Sequence, residues 1–188
     1  METDLPIEAE DKRLNRGVAA TVVLFSVFLG LCNIKDGNIN QNMQQAKADA
    51  VDTWGEYQAS RTKLHLSEGE ADQLAVLGPL AKDGAAVARQ EAVLAARIAK
   101  YKTEGPALQA KAKGFEARYD ELNYHDDQFD ATDALVSIAV SVAAVSALVE
   151  SWLVLGVAWA FGVGGLVFGI AGFAGWAIHP DILSRFLG

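Results

Sequence analysis

Between Asp133 and Asp181 lie 47 residues with a single charged side chain, Glu150. A water-soluble core does not need so long an uncharged run, and a bilayer does. A hydrocarbon slab of roughly 30 Å is crossed by about 20 apolar helical residues. The run is too long for one span and fits two spans with a tight turn at Glu150. A carboxylate costs several kcal/mol at the bilayer centre but little at its surface. The second span is therefore expected over residues 131–149 and the third over 152–178. Trp152 and Trp176 stand near the two ends of the third, as an aromatic belt would place them. A 179–188 tail follows.

A further uncharged stretch, 17–34, is bounded by Arg16 and Lys35 and follows a polar tail, 1–16. No Ala-x-Ala cleavage site lies in the ten residues directly after it, and Leu31 before Cys32 is too large for a lipoprotein site. It is read as an uncleaved first span.

The whole chain carries 16 Lys+Arg against 24 Asp+Glu, a net charge of −8. That argues against nucleic acid as a partner. One cysteine excludes an intramolecular disulfide framework and a cysteine-based zinc site. No phosphate-binding loop or nucleophile elbow occurs. No cofactor, metal ligand set or catalytic group is expected. His65 with Glu68 and Glu70 is the best local set for an enzyme, and it is ordinary for an exposed helix.

Residues 36–130 are polar, Ala-rich and poor in β-branched residues, a helical composition. Val87, Leu94, Tyr101, Leu108, Phe115, Leu122 and Phe129 are seven apart and all apolar. That is a coiled-coil seam, with weaker partner positions at Glu91, Ile98, Gly105, Ala112, Tyr119 and Asp126. Its register runs into the second span, so one helix is expected to carry both, with a kink or restarted turn at Gly105-Pro106. Met43, Ala50, Tyr57, Leu64 and Ala71 also step by seven, beside Trp54. Gly78-Pro79 and Lys82-Asp83-Gly84 mark a reversal near 78–84. The expected fold is an all-α membrane protein with three transmembrane helices. A long extramembrane antiparallel coiled-coil hairpin separates the first two.

The span faces are patterned as well. Gly162, Gly165, Gly169 and Gly172 share one face of the third helix, and Ala134, Ser137, Ser141 and Ala144 one face of the second. Small residues let helix backbones approach closely where lipid removes the hydrophobic drive. These faces are expected to pack on each other within the hairpin, or one of them on a second copy. Asp120 to Asp133 contains six acids and no base. His125, Asp126, Asp127, Asp130 and Asp133 read as a solvated acidic collar, with a divalent-ion site as the alternative; Asp126, Asp130 and Asp133 share a helix face while Asp127 points elsewhere.

The segment after the first span adds a resemblance. Lys35-Asp36-Gly37-Asn38 is followed by Trp54-Gly55-Glu56-Tyr57-Gln58-Ala59, with Lys63 four residues on. This Trp-x-x-Tyr-Gln-Ala-x-x-x-Lys pattern, with two C-terminal spans after it, resembles an uncharacterised bacterial family of small membrane proteins known only as a domain of unknown function. The resemblance covers roughly residues 14–176. It implies three spans in a bacterial inner membrane and no known activity. Basic residues are expected at the last turn of such relatives, where this chain has Glu150-Ser151. In physical terms Trp54 and Tyr57 belong on the seam, Gln58 supplies a buried or interfacial hydrogen bond, and Lys63 lies about one and a half turns on. The set reads as a packing node or a partner contact.

Lys12, Arg13 and Arg16 precede the first span, against Lys35 and Lys47 after it. Positive charge favours the cytoplasmic side, so the N-terminus is expected inside and the hairpin in the periplasm. The functional expectation is a structural scaffold or accessory subunit in the lipid bilayer, as a homo-oligomer or with a membrane-protein partner. The alternative is an oligomeric channel or transporter component lined by the serines of the second span.

Overall fold

The computed structural model describes residues 8–176 and 178. The expected 179–188 tail and the first seven residues of the N-terminal tail lie outside them. Three α-helices account for nearly all of the described chain: α1 (Glu8–Leu77), α2 (Gly84–Leu148) and α3 (Trp152–Ala174). No strand occurs among the described residues. All three are long and apolar enough to cross a membrane.

The connections follow from a few residues. Gly78–Leu80 form a single 3₁₀ turn, with Pro79 where its missing N–H costs nothing. Asp83 then caps α2: its Oδ1 accepts the N–H groups of Ala85 and Ala86, both at 3.0 Å. Within α2, Pro106 removes the N–H that would bond the carbonyl four residues back, yet the helix is not restarted there. Gly105 is buried, and a Cβ on it would meet Tyr57 Cε2 at 3.9 Å.

The last two helices end in left-handed caps of the same kind. Glu150 adopts φ 50° after α2, and Gly175 adopts φ 67° after α3. In each the following N–H reaches back five residues, from Ser151 to Ser146 O at 3.2 Å and from Trp176 to Ala171 O at 2.9 Å. Gly175 thus ends α3 at Ala174, short of the expected 178. Ser146 strengthens the first of these turns: its buried hydroxyl donates to Ser151 O at 2.9 Å.

The chain forms two compact units. One holds the described residues up to Asn42 and from Glu121 onward, with parts of α1 and α2 and all of α3. Its core is a row of small and medium apolar side chains. Leu14 and Val18 pack with Ala143, Leu155 and Ala158, and Phe25 with Val136 and Ala139. The other unit, Met43–Asp120, pairs the remainder of α1 and α2. Contacts run Trp54 to Glu116, Tyr57 to Gly105 and Glu68 to Lys102, so the two helices are antiparallel.

Candidate functional site

The glycine face of α3 is a set of sockets. Gly162, Gly165, Gly169 and Gly172 are all buried. A Cβ on Gly162 would overlap the Phe25 ring. On Gly169 it would come within 2.6 Å of Phe28 Cζ, and on Gly172 within 2.8 Å of Phe129 Cζ. At Gly165 the obstacle includes main chain, with Val136 Cγ2 at 2.6 Å and Val136 N at 3.2 Å. The four glycines therefore receive rings from α1 and both a ring and the backbone of α2. Thr21 of α1 completes the seam: its hydroxyl accepts Trp159 Nε1–H at 2.9 Å and donates to Gly17 O at 2.8 Å.

The partner expected on α2 is corrected. Ser137, Ser141 and Ala144 are exposed, and Ser141 spends its hydroxyl on Ser137 O at 2.8 Å. The face turned inward is instead Val136, Ala139 and Ala143, each fully buried. Small residues occur on both sides of α2, so size alone did not identify the packed face.

A polar cluster lies where α1 and α2 meet within the same unit. Asn40 Nδ2 of α1 donates to Asp126 Oδ1 at 2.8 Å and, more weakly, to Asp36 Oδ2 at 3.4 Å. Asp126 also faces Asp36, and the two carboxyls can share a hydrogen bond when Asp126 carries a proton. Asp36 Oδ1 is buried with no hydrogen-bond partner. Burial pushes the Asp126 carboxyl up to about 7, helped by Asp36 and by the charges of Asp130 and Asp127. Asp130 is raised as well, mainly by burial and then by Asp36, Asp127 and Asp133.

This corrects the solvated collar for Asp126, which is partly buried against α1. Asp130 and Asp133 remain exposed. No group of three His, Cys, Asp or Glu among the described residues has the arrangement of a metal site. Beside the acids, Gln128 is fully buried. It donates to Trp176 O at 2.8 Å and Ile178 O at 2.6 Å, tying the chain beyond α3 to α2. His125 Nδ1 faces Gln128 Oε1 at 3.2 Å.

In the other unit the residues of the Trp-x-x-Tyr-Gln motif separate. Trp54 and Tyr57 stack edge to face with centroids 5.4 Å apart, and Trp54 Nε1 donates to Glu116 Oε1 at 2.8 Å. Gln58 and Lys63 are exposed, which removes the buried alternative for the hydrogen bond expected of Gln58 and leaves the interfacial one. From Tyr57 a surface chain continues. Arg61 donates to Tyr57 Oη at 3.3 Å and contacts His65, and Glu68 takes His65 and Lys102. Lys102 holds the Glu68 carboxyl below the usual range.

On α2 of this unit Leu94 is buried, while Val87, Tyr101, Leu108 and Phe115 are half-buried. Leu122 and Phe129, the last two positions of the stripe, are buried in the first unit. Of the weaker partner positions Gly105 and Ala112 are buried, whereas Glu91 is exposed. The matching row on α1 was missed by hydropathy: Ala46, Thr53, Ser60 and Ser67, seven apart, are 4–6% exposed. The signal was a heptad of small residues, not of apolar ones, which leaves room for bulky side chains opposite.

A family model for the domain of unknown function DUF4337 matches residues 14–175, nearly the whole described chain. The chain belongs to the DUF4337 family. No curated protein and no solved structure matches it. The DUF4337 match takes in α1 from Leu14 onward, all of α2 and α3, the glycine sockets, the Asp36–Asp126 pair and the Trp54–Tyr57 stack.

Proposed function

We propose that this DUF4337 chain is a three-span protein of the bacterial inner membrane and a structural or accessory subunit of a membrane assembly. It carries no catalysis of its own. The observation that carries this reading is the outer surface of the uncharged helix α3. Leu153 is 77% exposed, and Val157, Val163, Val167, Ile170 and Phe173 are also exposed. Val23, Leu24, Val27, Leu31 and Ile34 on α1 are exposed in the same way. So much contiguous apolar surface is untenable in water and ordinary in lipid. The N-terminus is cytoplasmic, from Lys12, Arg13 and Arg16, and residues 36–130 form a periplasmic coiled-coil hairpin.

Self-association is supported by the exposed Ser137–Ser141 face of α2, which suits close approach of a second copy. The buried rows at Ala46, Thr53, Ser60 and Ser67 and at Leu94, Gly105 and Ala112 support the coiled-coil seam.

The deciding experiment is the native mass of the protein extracted gently from its own membranes, with co-purifying proteins identified. A defined multiple of the 20.0 kDa chain, or a stoichiometric membrane partner, is the expected result. A monodisperse monomer without partners sinks the assembly reading. Recovery in the soluble fraction sinks the membrane reading.

A further inference from the structure

In the Met43–Asp120 unit a groove of about 260 Å³ opens between α1 and α2, lined by Lys47, Ala50, Val51, Trp54, Glu116, Tyr119 and Asp120. Its cause is legible in the heptad. Ala50 stands on the α1 seam between Met43 and Tyr57, and it lacks the bulk of either. The missing side chain leaves a hollow with Ala50 as its buried floor. Aromatic rings and carboxylates line the same space.

The rings in this groove differ from their neighbours. Arg61 sits 6.0 Å from the Tyr57 centroid, Lys100 5.8 Å from Tyr101 and Lys111 5.9 Å from Phe115. No such cation is found over Trp54 or Tyr119 among the described residues. These are the two rings with carboxylates beside them in the hollow. Glu116 uses Oε1 for Trp54 Nε1–H, which fixes the indole and leaves Oε2 available. Lys47 offsets one of the two negative charges, so the lining keeps a net charge of −1 from Lys47, Glu116 and Asp120.

We infer that this groove is a binding site for a small organic cation of the alkylammonium class, held over Trp54 and Tyr119 and neutralised by Glu116 and Asp120. An indole face is the strongest side-chain partner for such a cation, and partial burial strengthens the attraction. A methylated ammonium also gains from apolar contact with the buried Ala50 floor and the exposed Val51 wall, which a hydrated metal cation does not. The site is independent of the scaffold reading, since it needs neither lipid nor a second copy.

The test is calorimetric titration of the full-length protein in detergent with choline chloride, against sodium chloride at matched ionic strength. Saturable binding of choline that sodium does not mimic is expected. Trp54→Leu should weaken it about tenfold, and Trp54→Phe, which keeps a ring face, much less. Glu116→Gln with Asp120→Asn should weaken it by a similar factor. Ala50→Leu fills the floor and should abolish binding while thermal stability holds or rises, which separates a ligand site from a packing defect. No saturable heat with choline overturns the inference. So does equal binding of sodium, or undiminished binding by the folded Ala50→Leu protein.

Discussion

Gly165 shows how narrowly one residue is constrained. A methyl group there meets Val136 at both Cγ2 and main-chain N, and main chain cannot rotate away. Gly165→Ala should cost about 1–3 kcal/mol, the usual range for overpacking. Gly156, on the same helix, has nothing within 4 Å of a Cβ, so Gly156→Ala should be neutral or stabilise by up to about 1 kcal/mol. Thermal unfolding in detergent compares the pair. If both behave alike, the sockets do not hold α3. Asp126 is constrained by charge instead. Its carboxyl is raised to about 7 in the fold, against about 3.9 in an unfolded chain. The folded state therefore holds the proton more tightly. The stabilisation is complete below about pH 4, declines as pH rises to about 7, and then stays level. Asp126→Asn removes this titrating group, so the thermal midpoint of that variant should fall less over the same interval. An unchanged decline would place the titration elsewhere.

At the scale of elements, the α2–α3 turn rests on few residues. The buried Ser146 hydroxyl bonds Ser151 O, and Glu150 takes a left-handed conformation that most side chains disfavour. Ser146→Ala should cost about 1 kcal/mol. Glu150→Gly relieves the backbone but loosens the unfolded chain, so its net effect should be within about 1 kcal/mol. Thermal midpoints of the two variants check both values. The composition of residues 36–130 made their helicity legible, since alanine and unbranched polar residues lose little on entering a helix. The seam of α1 was only half legible. Met43, Tyr57 and Leu64 announce themselves by hydropathy, whereas Thr53, Ser60 and Ser67 look like surface residues until a partner helix covers them. A serine hydroxyl that is free in water and one beneath a neighbouring helix are the same letter in the chain.

At the scale of the whole molecule, the proposed topology and assembly make separate predictions. With Cys32→Ala as background, Lys63→Cys should react with a membrane-impermeant thiol reagent in spheroplasts, and Lys12→Cys only after lysis. The reverse pattern inverts the orientation without changing the span number. In the same background Ser137→Cys should form a disulfide-linked dimer under mild oxidation in membranes. A cysteine at Ala139, on the buried face of α2, should not. Equal cross-linking at both positions would remove the Ser137–Ser141 face as the contact.

The all-helical character followed from sequence alone, because composition and the long apolar runs are local properties that favour one backbone geometry. Family membership was also carried by the chain itself, through the order and spacing of its residues. Periodicity could say that α2 has faces, but not which one packs, since Ser137 and Ala139 are both small. The acidic run from Asp120 to Asp133 was visible, yet its partner Asp36 lies 90 residues from Asp126 and has no distinguishing neighbour. Only the tertiary structure set Asp36 and Asn40 against Asp126, raised a carboxyl to about 7 and hollowed a groove above Ala50. Those features arise where two distant segments exclude water from each other, and no single segment encodes that event.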